Sequence, residues 1–111
     1  MSVALIVLHP KEKYPGLYIP IATEGLFERV WQQGAKELNL EWLPLFQGGI
    51  DLTLEDFEAV SKELTAFEQW VKTVVAPIDP ELGAFVSGRV QLLLQGLASL
   101  ADEKEIKVFS G

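Results

Sequence analysis

Few side chains in this chain could do chemistry, and their spacing narrows what that chemistry would be. Among 111 residues there are one histidine, one methionine and no cysteine. Without cysteine there is no disulfide framework, no thiolate zinc site and no cysteine nucleophile. His9 is the single imidazole, hence the one side chain whose ordinary titration falls near neutral pH. It follows an apolar run, a place where catalytic groups often stand. It opens a charged loop, however, with no serine or acid at a recognisable motif spacing. An ordinary loop histidine accounts for it with fewer assumptions.

The carboxylates Asp51, Glu55, Asp56 and Glu58 are the one grouping that would suit a hard cation. The twelve-position loop of an EF-hand is absent, and helical carboxylates one or two positions apart do not converge on a point. No metal and no cofactor is expected. Gly48-Gly49 lies between two elements, as phosphate-binding loops do. It lacks the lysine of GxxxxGK[ST] and the third glycine of GxGxxG, and the acids after it would repel a phosphate. A tight turn is the expected role.

Two further groupings point to contact rather than catalysis. Asp56, Glu63 and Trp70 recur at intervals of seven along the flank of one helix, which would set an aromatic anchor beside acids that a basic protein could recognise. The competing role for Trp70 is a boundary ring covering the edge of the core. Arg89 falls inside the apolar arc of the last helix, flanked by Phe85 and Leu92. There it must snorkel outward, meet a carboxylate, or anchor an interface or ligand pocket.

These residues must be positioned by a small set of elements. Val3–Leu8 reads as a central strand, because a continuous apolar run suits burial on both faces. Leu17–Ile21 contains Pro20, which cannot donate to a ladder, so an edge or bulged strand is expected. Thr23 is the expected cap of a helix to about Asn39, with Phe27, Val30, Trp31, Gly34 and Leu38 on its inner side. Glu41–Phe46 reads as a third strand with a proline inside it. Phe57, Val60, Leu64, Phe67, Val71 and Val74 then alternate steps of three and four, giving a helix from Leu54 to about Val75 that Pro77 ends. Asp79-Pro80 opens a last helix to about Ala101, and Ile106–Phe109 reads as the closing strand. The expected fold class is α+β: a single small domain over 1–111, in β-β-α-β-α-α-β order, with one short-stranded sheet and helices packed largely on one face.

The formal net charge is −7, and the stretch from Asp51 to Glu68 carries six acids against one base. Such a field disfavours nucleic acid and anionic membranes and attracts basic proteins. The run after Met1-Ser2 has no basic residues before it, so no signal peptide is expected, and a cytoplasmic location is. In size and charge the chain resembles small bacterial inhibitor or immunity proteins, a likeness that rests on no motif and carries over no residues. It implies a non-catalytic acidic module that binds a basic protein partner; the charge and spacing of the chain itself set the expected contact at Asp51, Glu55, Asp56, Glu63 and Trp70. Two alternatives stand beside it. One is a homodimer, joined through the helix Pro80–Ala101, with an apolar ligand pocket near Arg89; the other is a small enzyme using His9.

Overall fold

A computed structural model describes residues 2–7, 18–52, 54–99 and 106–110. His9, with the role considered for it, lies outside those residues. The fold is α+β. Four strands form one sheet in the order β2-β1-β4-β3, every neighbouring pair antiparallel. The strands are β1 (Ser2–Val7), β2 (Tyr18–Thr23), β3 (Ile50–Leu52) and β4 (Ile106–Ser110). The apolar run of β1 thus takes an interior position. β2 lies at an edge, and its register slips where Val3 faces Ala22 but Ala4 faces Pro20. The irregularity falls beside the residue that has no N–H to give, which is where a ladder tolerates it at least cost.

Thr23 ends β2 and caps α1 (Glu24–Leu26): its Oγ1 accepts from the Leu26 N–H at 3.2 Å. A π-helical turn, Phe27–Trp31, leads into α2 (Gln32–Leu38). Asn39, at φ 55°, stops α2 in the left-handed conformation that asparagine tolerates best after glycine. The widened turn keeps Phe27 and Trp31 both buried and stacked at 5.5 Å.

The expected strand at Glu41–Phe46 is not one. Leu43–Gly48 forms a 3₁₀ segment, and the strand comes later, at Ile50–Leu52. The buried pair here is Leu43 and Phe46, three apart, while Leu45 is exposed, so the burial period is three rather than two. Pro44 sits in the first turn, where its missing N–H costs nothing.

α3 (Leu54–Trp70) continues through a second π turn, Val71–Val75, and after a short turn α4 (Pro80–Ser99) runs back along it. Phe57, Val60, Leu64, Phe67 and Val71 are buried in one cluster with Val86, Val90, Leu93, Leu97 and Val3. Val74 leaves the seam and is 39% exposed. The π turn adds a residue to the winding and rotates the later positions out of register with the seam. Asp79 Oδ1 accepts from the Leu82 N–H at 3.1 Å, capping α4. Gly83 lets α4 start against the end of α3: a Cβ there would lie 2.8 Å from the Ala76 Cα. Among the described residues no helix is long and apolar enough to cross a membrane.

Candidate protein-interaction face

The acids that sequence spacing sets on α3 divide into two groups with different uses. Glu63 turns inward along the helix flank. Its carboxylate accepts the backbone N–H groups of Glu41, Trp42 and Leu43 at 2.9–3.1 Å. Those are the unpaired donors at the start of the 3₁₀ segment, so Glu63 acts as its cap from twenty residues away.

Trp70, seven residues on, is 8% exposed. Its Nε1 donates to Glu37 Oε1 at 3.2 Å, and its ring follows Trp31 and Phe67 in a continuous stack. Gly34 of α2 admits this stack: a Cβ at that position would come within 2.7 Å of both rings. Glu63 and Trp70 share one flank, as the spacing implies, and that flank faces the chain's own α2 and 3₁₀ segment. Of the two roles that its spacing allows, Trp70 stands in the structure as a ring at the core edge, and Glu63 caps the 3₁₀ segment. The Trp31 Nε1 has no hydrogen-bond partner among the described residues, so burial in the core and stacking hold that ring.

Glu68 is buried between α3 and α4. It accepts from Ser87 Oγ at 2.7 Å and from Gln91 Nε2 at 2.7 and 2.8 Å, with Lys72 Nζ at 4.0 Å. Burial by itself would raise its carboxyl. The hydrogen bonds from Gln91 and Ser87, and the Lys72 charge, outweigh that and hold it below the ordinary 4.5. A lowered folded-state value means that the group's contribution is complete above about pH 4.5. It is lost as pH falls through the lower folded value. Glu68→Gln should therefore cost on the order of 1–3 kcal/mol at neutral pH. Denaturant titrations of the two proteins should converge as the pH drops below 4.5. A gap that stays constant down to about pH 3 would show that the charge is not what matters.

What remains of the acidic surface is smaller than the sequence implies. Glu55 and Glu58 are exposed on the outer side of α3, and Glu58 pairs with Lys62 at 3.3 Å. Asp56 is half-buried. Asp51 lies in β3, in register with Lys107 of β4. Among the described residues no group of three or more His, Asp or Glu side chains is arranged to hold a metal ion.

The surface with the opposite character lies on α4. Its inner side, Val86, Val90, Leu93 and Leu97, is buried. Its outer side carries Ala84, Phe85, Gly88, Gln91, Leu92 and Gln95, all exposed. Phe85 and Leu92 are each 46% exposed. They stand seven positions apart, on one line along the helix. From Ala84 to Ala98 the helix contains no acid, in a chain that has 16.

Arg89 borders this face. Its guanidinium carbon lies 5.1 Å from the centroid of the Phe85 ring, a cation–π distance. It forms no ion pair among the described residues. Of the roles open to it from sequence, the structure shows the outward one, at a surface position over a half-exposed ring. The sequence singles out Arg89 and its helix as a possible contact, but not Phe85 and Leu92 as the exposed residues beside it. The signal is present as the acid-free stretch, masked when the helix's leucines and valines are counted together as core. No family model matches this chain, and neither a curated protein nor a solved structure matches it.

Proposed function

We propose that this chain is a non-catalytic protein-association module whose contact surface is the outer face of α4. The observation that carries this reading is the pairing of two half-exposed large apolar side chains, Phe85 and Leu92, on a helix face without acids. Clustered exposed apolar surface marks interaction sites more often than isolated residues do. The non-catalytic reading is supported by how the described carboxylates are used. Glu63 caps a backbone turn, Glu68 ties α3 to α4, and Glu37 holds the Trp70 indole. Of the acids of α3, Glu63 and Glu68 are held within the fold and Glu58 pairs with Lys62.

A photo-crosslinking amino acid placed at position 92 should capture a protein in the cells that make this chain. The same group at position 58, on the far helix, should not. Capture from 58 alone would return the contact to the acidic side of α3.

A further inference from the structure

We propose that residues 41–48 form a strap that opens and closes as a unit while the helices beneath it stay folded. The backbone marks its ends. Asn39, at φ 55°, and Gly49, at φ 85°, are the two positive-φ residues among those described, and they bracket the segment. The Leu40 N–H reaches back to the Ala35 carbonyl at 2.9 Å and closes α2 behind the first of them. Torsion changes at a few such loop positions can swing the chain between them and leave the flanking elements in place.

The strap is held from outside rather than by a ladder or a long helix. Its 3₁₀ winding has poorer hydrogen-bond geometry than an α-helix, and Pro44 has no N–H to give. Two side chains from neighbouring helices latch it. Glu63 of α3 accepts from the N–H groups of Glu41, Trp42 and Leu43 at 2.9–3.1 Å. Gln32 of α2 donates its Nε2 to the Pro44 carbonyl at 3.0 Å and to Gln47 Oε1 at 3.1 Å. Leu43 and Phe46 complete the attachment as two fully buried plugs. A segment tied down at so few points opens at a lower free energy than the elements it covers. Opening withdraws both plugs and bares the ground on which the strap packs: β4, α2, α3 and the π turn that carries Trp31. Glu63 and Gln32 thereby set access to that side of the core.

Native-state hydrogen exchange of the intact chain, followed amide by amide in low denaturant, tests this. In the unmodified protein Trp42, Leu43 and Leu45 should exchange through an opening that depends weakly on denaturant. Leu64 and Phe67 of α3 should follow global unfolding. Leu45 is the deciding amide, because it bonds to the Trp42 carbonyl at 3.0 Å and not to Glu63. Glu63→Gln should speed its exchange at least about tenfold relative to Leu64 and Phe67. Gln32→Ala should speed exchange at Trp42 and Leu45 as well, although Gln32 bonds to neither amide. Strap amides that share the denaturant dependence of Leu64 and Phe67 in the unmodified protein overturn the inference. A Glu63→Gln effect confined to the amides that Glu63 itself bonds, with Leu45 unmoved, overturns it too.

Discussion

Replacing Phe67 with alanine is expected to cost on the order of 3–5 kcal/mol of folding stability. Phe67 is fully buried and lies between two tryptophans, 4.5 Å from the Trp31 ring centroid and 5.8 Å from that of Trp70. Its removal takes away the transfer free energy of the ring and both stacking contacts. It also leaves a space that the flat neighbours fill poorly. A domain of this size has about 5–15 kcal/mol in total, so the variant should lose a large fraction of its stability. Chemical denaturation measures it directly. A loss below about 1 kcal/mol would show that the ring does not bridge α2 and α3.

Gly34→Ala sets two effects of opposite sign against each other. Alanine favours a helix over glycine by about 1 kcal/mol. Its Cβ, however, would lie 2.6 Å from Phe67 and 2.7 Å from Trp70, distances at which ring atoms must move. Neither ring can swing away, because each is packed in the stack. Overpacking of this kind costs about 1–3 kcal/mol and more when the neighbours are rigid. The net effect should be destabilising by on the order of 2 kcal/mol. Combined with Phe67→Leu, which frees space at that point, the penalty should shrink, giving a coupling of at least about 0.5 kcal/mol. Strict additivity of the two changes would mean that the close approach of α2 to the aromatic stack is not what limits position 34.

The parts of this fold legible in the sequence are those that rest on period and on chain punctuation. The Phe57–Val71 seam, the caps at Thr23 and Asp79, the interior strand at Val3–Val7 and the irregular strand around Pro20 obey local rules that tertiary contacts do not override. Glu41–Phe46 misleads because its apolar residues fit either alternation or a three-residue period. The deciding fact, a carboxylate reaching back from Glu63, lies twenty residues away. Val74 fits the seam by spacing alone, because a π turn leaves no signature in the sequence. The α3 acids look like surface by their type, although Glu68 lies among donors on α4 that spacing within α3 cannot reveal. Arg89 stands out in the sequence as a misfit in an apolar arc. The breadth of that arc is legible in the sequence, whereas the three-dimensional arrangement shows that Phe85 and Leu92 are the residues on its outward side.

On the proposed function, contacts form on the outer face of α4 and not on the acidic side of α3. A crosslinker scan decides it most directly, with the reactive group placed in turn at positions 85, 92, 58 and 62 of the otherwise intact chain in its native cells. Capture of a protein from 85 and 92, with none from 58 or 62, is the predicted result. Capture from 58 and 62 without 85 and 92, or from none of the four, would contradict it.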